Sequence, residues 1–373
     1  MILKNLKIVL ENKIIEKGYL VFENGFISKI GEGSYSKEAT DCNGLIAMPG
    51  FIDIHIHGSA GIDFMDAKEE DYQTIANSLF KEGVTTFLAT TLTSDKQSLA
   101  RVCKTVNDVK DQIPSLGGIH FEGPYISEKY KGAQNEKYIR NPNINEFDEL
   151  QKLSGNNICY ITLAPEKEGA MEFIQHVSKE GVIVSAGHSD ASFNDIKVAI
   201  HNGLTNTTHT HNAMSPHHHR HPGIVTAAFY FNELFTEFIC DTVHVCPETL
   251  ATSYKIIGPD RFVMITDALK IKNSNINEFQ LFGLDCVRKD GAAYLKSGPL
   301  AGSLLTMDQG LRNMKKITGA SLCDLAKISS KNAAKALHFD DRGSIQVGKL
   351  ADIVLLDDDL NVKATYKLGK KVF

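Results

Sequence analysis

Five histidines and two carboxylates stand out because each closes an apolar run. His55 and His57 end the run 51–57, Glu122 ends 118–122, His188 ends 182–188, His209 ends 206–209, His244 ends 237–244 and Asp267 ends 262–267. Neutral imidazole and carboxylate are the ligands that hold zinc or ferrous iron while leaving a coordination position open. Residues two apart on a strand point the same way, so His55 and His57 can chelate a single ion. Gly123-Pro124 directly after Glu122 bends the chain away and leaves that carboxylate at the open end of its strand. Each residue alone has a plainer explanation. A lone strand-end histidine is more often a satisfied core residue, a buried glutamate can pair with a lysine, and an aspartate can cap a helix. At the same ends of six segments they read instead as a metal centre. A carboxylate beside a bound metal can take a proton from water and return it to a leaving amine, which is the role expected of Asp267.

The elements that must position these residues follow from the rhythm of the chain. Eight apolar runs, at 51–57, 85–92, 118–122, 158–164, 182–188, 206–209, 237–244 and 262–267, alternate with amphipathic stretches such as 69–81, 95–110, 168–179, 193–201 and 247–257. Alternating β and α units with near-continuous apolar strands predict a parallel sheet, and eight of them predict an α/β fold, a (β/α)8 TIM-like barrel. In such a barrel every strand opens its C-terminal end onto one face, where active sites are built. A hairpin is expected at 279–295, turned by Lys289-Asp290-Gly291, with helices near 303–318 and 321–337.

The two ends of the chain share a different texture. Short alternating runs at 2–9, 13–16, 19–22 and 26–30 are separated by Glu11-Asn12 and Asn24-Gly25, the second a strong hairpin signal. The last 30 or so residues repeat the pattern, with a buried strand at 351–356 and a strand pair within 362–373. Neither end can enclose a core alone, so the expectation is one small β-sandwich domain made from 1–48 and 341–373, with the barrel, 49–340, inserted between them.

Composition narrows the function classes. The chain has 373 residues, 42% hydrophobic and 23% charged, which fits a folded protein with a large core. Its net charge of −5 offers no basic surface for nucleic acid or an anionic membrane. Seven cysteines without a CxxC pair point to a reducing compartment. The N-terminus lacks the apolar stretch of a signal peptide, and no apolar run reaches the about 18 residues of a membrane span. The expected location is the cytoplasm. The run His217–His221 (HHHRH) is read as a solvated loop rather than a metal store.

Longer motifs carry a resemblance. Residues 48–58 (MPGFIDIHIHG) resemble the first-strand signature of the amidohydrolase superfamily. HFEGPY at 120–125, KGAQ at 131–134, AGHSDA at 186–191, THTHNAM at 208–214, RHPG at 220–223, DTVHV at 241–245, TDA at 266–268, LAGSLLT at 300–306 and GSIQVGKLADIVLL at 343–356 resemble, in order, its N-acetylglucosamine-6-phosphate deacetylase family. The resemblance implies hydrolysis of N-acetylglucosamine 6-phosphate to glucosamine 6-phosphate and acetate, with the galactosamine epimer or a cyclic amide as alternative substrates. It implies one or two divalent ions, zinc first, with iron, manganese or cobalt as alternatives. Glu122, His188 and His209 would hold the main ion, and His55 and His57 would add a second with Glu122 as bridge. Asp267 would be general base and then general acid. His244, Gln134, Ala133 and Leu300-Ala301-Gly302 would contact the sugar or its acetamide. Asn212, the Ala213 backbone and Arg220 would bind the 6-phosphate, with Arg220 supplied by a partner subunit of a homodimer or dimer of dimers. Four positions depart from the pattern: Gln134 stands for a histidine, His211 for an aromatic residue, Thr242 for a glycine and His221 for a glutamate.

Overall fold

The computed structural model describes residues 1–281 and 283–373. Eight parallel strands form the centre: Phe51–Ile56, Val84–Thr90, Leu116–Glu122, Ile158–Leu163, Ile183–Ala186, Leu204–Thr207, Phe235–Ile239 and Phe262–Ile265. Each pairs with the next in chain order, from the first strand to the eighth. A bridge between Ile56 and Ala268 closes the ring next to the eighth strand. Each strand is followed by a helix on the outside. The helices Ile144–Leu153 and Ile224–Tyr230 complete the set beyond those legible in the sequence. Local chemistry explains the helix boundaries. Asp95 caps Lys96–Val109 by accepting from Ser98 N, and Leu99, Val102, Cys103, Val106 and Val109 recur at helical spacing on the buried face. Ser192 caps Phe193–Asn202 in the same way, and Gly203, at φ 114°, ends it.

The expected last helix is broken. Leu322–Ala326 and Asn332–Ala336 flank a wider turn at Lys327–Lys331. That turn carries Ser330 to the carbonyls of Pro49 and Gly50, and Asn332 to those of Pro259 and Phe262. Side-chain bonds thus tie the helix to the entry points of the first and eighth strands, under the floor of the barrel.

The chain ends form one sheet, running from Lys370–Lys371 through Val362–Lys367, Ile353–Leu356, Ile46–Pro49, Ile2–Val9 and Ile14–Glu23 to Phe26–Glu32. The runs 13–16 and 19–22 are one strand here, because Gly18 continues the pairing with the first strand. Phe22 and Tyr366 sit on strands separated by three others, yet their rings are 6.2 Å apart. The sheet therefore folds over its own core, sandwich fashion. Period-two alternation gives its central strands two buried faces. Ala47, Ile353 and Leu355 join the small core, while Ile46, Met48, Val354 and Leu356 pack into the barrel core. Each such fully buried aliphatic side chain contributes about 1.5–3 kcal/mol, so the two bodies are joined by apolar contact rather than by a hinge.

A four-stranded antiparallel sheet, Glu278–Leu281, Leu284–Lys289, Ala292–Leu295 and Leu300–Gly302, stands where a hairpin was expected at 279–295. Asp290 and Gly291 form its turn with φ of 49° and 78°, the left-handed pair that a tight hairpin requires. Phe282, inside that expected hairpin, lies outside the described residues. No helix among the described residues is long and apolar enough to cross a membrane.

Candidate active site

Strands deliver the chemistry, but the turns after them aim it. Glu122 ends the third strand as expected. His57, His188, His209 and Asp267 instead stand one or two residues past their strands. His188, His209 and Asp267 have φ of 48°, 29° and 48°. Left-handed backbone is rare for residues other than glycine and clusters at functional sites. It turns each side chain across the barrel mouth instead of along its strand. Gly187 makes room for this, since a Cβ there would lie 2.7 Å from Thr208 and 2.9 Å from Thr162. The seventh strand corrects an expectation: it ends at Ile239, and His244 lies on the loop beyond. Asp241 organises that loop, accepting from the N–H groups of Val243 and His244 and from His244 Nδ1 at 2.6 Å.

The acceptors converge in two groups, Glu122 with His188 and His209, and His55 with His57 and Asp267. His188 Nδ1 donates to the Tyr130 carbonyl at 2.9 Å and His209 Nδ1 to the Asn212 carbonyl at 3.1 Å. A carbonyl can only accept, so in the neutral rings both Nε2 atoms are lone pairs. Those atoms lie 3.1 Å from each other and 3.1 Å from Glu122 Oε1. Three acceptors facing one another at that distance repel unless a cation or protons sit among them. His55 Nε2 is 3.2 Å from Glu122 Oε1 and buried without a hydrogen bond. His57 Nε2 lies 3.0 Å from Asp267 Oδ1 and 3.4 Å from Glu122 Oε2. The donor set fits divalent metal, with Glu122 touching both groups.

The local fields agree. Burial pushes His55 and His57 down, but Glu122 and Asp267 outweigh it, holding His55 well above the ordinary histidine value and His57 at about 9. Burial raises the Glu122 and Asp267 carboxyls, yet the facing imidazoles leave both lowered. Each partner stabilises the charged form of the other, which is how a cluster behaves when it calls for positive charge at its centre.

A cavity of about 210 Å³ opens above the cluster. It is lined by His57, Glu122, His188, His209 and Asp267, together with Ala133, Gln134, Asn212, Ala213, His244, Leu300, Ala301 and Gly302. His55 lies beneath it. Gln134 accepts from Thr93 N at 2.8 Å and donates to Glu122 Oε2, so it orients the shared carboxylate. Arg220 is not brought there. It is exposed and lines a separate groove with Lys129, Asp190 and His221. His218 Nδ1 accepts from the N–H groups of Arg220 and His221, so this histidine shapes a turn. No metal-type cluster forms at 217–221 among the described residues.

Sequence reasoning missed several supports. Glu237, inside the seventh strand, accepts from His55 Nδ1 at 3.2 Å. Asp53 accepts from Thr266 Oγ1 at 2.6 Å and steadies the segment that carries Asp267. Glu166 accepts from Ser189 Oγ and Asp190 N, both at 2.6 Å, just past His188. Leu92 and Leu281 complete the cavity wall. A charge inside an otherwise apolar run is rarely buried without a partner, and that signal was available for Asp53 and Glu237.

Comparison with known proteins matches this geometry. The sequence profile of the amidohydrolase family covers residues 46–372. The chain belongs to the amidohydrolase family. It is 36% identical to the N-acetylglucosamine-6-phosphate deacetylase of Bacillus subtilis (strain 168), over 100% of this chain and 97% of that one. The crystal structure of N-acetylglucosamine-6-phosphate deacetylase from Thermotoga maritima superposes with a TM-score of 0.92 at 37% identity, covering 100% and 99% of the two chains. A mutant N-acetyl-D-glucosamine-6-phosphate deacetylase from Mycobacterium smegmatis, in complex with N-acetyl-D-glucosamine-6-phosphate, gives 0.95 at 28% identity, with 100% and 99% covered. Within this family the departures acquire a geometry. Thr242 takes φ of 67°, a conformation suited to glycine. His211 Nε2 reaches Ser253 Oγ at 2.9 Å and packs near Phe229 and Phe238, as an aromatic residue would.

Proposed function

We propose that this amidohydrolase cleaves the acetamide of N-acetylglucosamine 6-phosphate, releasing acetate and glucosamine 6-phosphate. The observation that carries the reading is one cavity that joins the two-part acceptor cluster, Asp267 included, to His244 and the 212–213 turn. Relatives named for that reaction span nearly the whole chain.

Glu122, His188 and His209 would hold one divalent ion and His55 and His57 a second, with zinc as first choice and iron, manganese or cobalt as alternatives. Bound there, metal supplies Lewis acidity toward the amide carbonyl and acidifies water. Asp267 then takes the proton of the attacking water and passes it to the sugar nitrogen as acetate leaves. His57, 3.0 Å from Asp267 Oδ1, keeps that carboxylate aimed. Asp241 holds His244 by Nδ1, which leaves Nε2 for the acetyl oxygen or a sugar hydroxyl. Gln134 orients Glu122 as well as facing the sugar. Asn212 Nδ2 is buried without a partner, as an atom kept for a phosphate oxygen would be. With the Ala213 N–H it would bind the 6-phosphate, and Arg220 of a second copy would add a charge-assisted pair. That remote binding energy holds the acetamide in place. Ala133, Leu281 and Leu300-Ala301-Gly302 wall the sugar from water.

The same reading divides the chain into a barrel, 49–340, and a small β domain, 1–48 with 341–373. It makes the protein a homodimer or dimer of dimers. It places it in the cytoplasm, where sugar phosphates are retained.

Acetate release tests the proposal. Metal-loaded protein should turn over N-acetylglucosamine 6-phosphate well ahead of unphosphorylated N-acetylglucosamine and of the galactosamine epimer. Asp267→Asn should lower turnover by about 10²–10⁴-fold. Preference for the epimer would move the substrate to that sugar. Failure on all three would refute a sugar phosphate substrate.

A further inference from the structure

Glu237 is a buried charge that the proposed reaction leaves unused. It stands in the middle of the strand Phe235–Ile239 with no exposed surface. A carboxylate is costly there unless its oxygens are met by donors, and they are. Tyr160, from the fourth strand, donates its hydroxyl to Oε1. His55 Nδ1 lies 3.2 Å from Oε2, and the His209 main-chain N–H donates to the same oxygen at 3.3 Å. An ionised carboxylate can only accept, so Oε2 takes both bonds, and the imidazole facing it carries its proton on Nδ1.

The consequence falls on the far side of the ring. In the neutral ring that would ligate a metal, a proton on Nδ1 leaves His55 Nε2 as a lone pair aimed between Glu122 Oε1 at 3.2 Å and Asp267 Oδ1 at 3.5 Å. Without a fixed partner, the ring could carry its proton on either nitrogen and tilt within its pocket. We propose that Glu237 is the positioning residue of the His55/His57 half of the cluster. It sets the tautomer and orientation of His55 and adds a negative charge behind it, and thereby equips the chain to hold a second divalent ion. Outer partners of this kind raise the basicity of a ligating imidazole, and losing one costs about 10–100-fold in metal affinity. The inference rests on the metal-dependent reading above but is independent of which amide is cleaved.

Geometry also says which ion is affected. The His188 and His209 rings lean on main-chain carbonyls, not on Glu237. Glu237 reaches that half only through the His209 N–H. Its loss should therefore weaken one ion and spare the other.

Metal-stripped protein titrated with zinc, with bound metal counted by mass spectrometry after dialysis, tests this without reference to turnover. The native chain should take up two ions. Glu237→Gln keeps the shape and removes the charge. It should leave the tighter ion within about threefold and weaken the second by about 10–100-fold. Tyr160→Phe removes one donor from Glu237 and keeps the carboxylate. It should shift the second ion the same way by less, and it serves if Glu237→Gln does not fold. Two ions with unchanged affinities in Glu237→Gln would overturn the proposal. So would equal weakening of both ions, or a native chain that binds one ion only. Acetate release from the loaded native protein is measured separately, so failure of the substrate assignment is distinguishable from failure of this one.

Discussion

The two halves of the acceptor cluster are braced by different materials. His188 and His209 are fixed from behind by the carbonyls of Tyr130 and Asn212. His55 leans on a side chain, Glu237, and His57 Nδ1 is buried with no partner. Main-chain acceptors survive any point substitution that leaves the barrel folded, whereas a side-chain acceptor can be lost in one step. The first half should therefore be the robust site and the second the adjustable one.

The largest expected effect separates them directly. His188→Ala should remove the tightly held ion and lower kcat/KM by about 10³-fold or more, while His57→Ala should loosen the second ion and lower it by about 10–100-fold. Metal content measured beside kinetics checks both, and equal losses would break the comparison. A smaller effect probes the frame behind the second half. Lys272 and Glu82 form a buried ion pair at 2.9 Å, and Glu82 also accepts from Met307 N and Asn273. Lys272→Met strands that carboxylate, and the expected cost is about 3 kcal/mol of stability by denaturant unfolding. Because Lys272 lies five residues past Asp267, occupancy of the second site should fall with it while the first holds. The smallest effect is a gain. Thr242 is β-branched at φ 67°, so Thr242→Gly should stabilise the protein by about 1 kcal/mol. A melting temperature that fell instead would mean that the threonine side chain is held by contacts that outweigh the strain.

Much of the fold is legible in the sequence. Alternating runs announced the barrel, and Asn24-Gly25 and Asp290-Gly291 announced their turns. His57, Glu122, His188, His209 and Asp267 could be picked out because polar residues closing apolar runs must meet at one rim. The helices at 144–153 and 224–230 are harder to read: the first buries only Phe147 and Leu150, and the second is seven residues long and mostly apolar, with four of them buried and no polar face to mark a period. The sequence puts His244 on a strand, because an apolar run shows no end until a loop aspartate such as Asp241 is seen collecting the N–H groups beyond it. The roles of Glu237 and Asp53 are not legible locally, because their partners lie 182 and 213 residues away in the chain.

The sequence by itself determined the inventory: eight strands, the acceptors at their ends, and two termini too short to fold apart. Spacing along a strand and hydrophobic period are local properties, so they can be read one segment at a time. Tertiary structure decided the grouping. It split the acceptors into two halves, gave Glu122 to both, set Glu237 behind His55 and kept Arg220 out of its own chain's cavity. These are distances between residues on different strands. They are set by barrel closure and by left-handed turns at His188, His209 and Asp267, and no local pattern records where a ring will close.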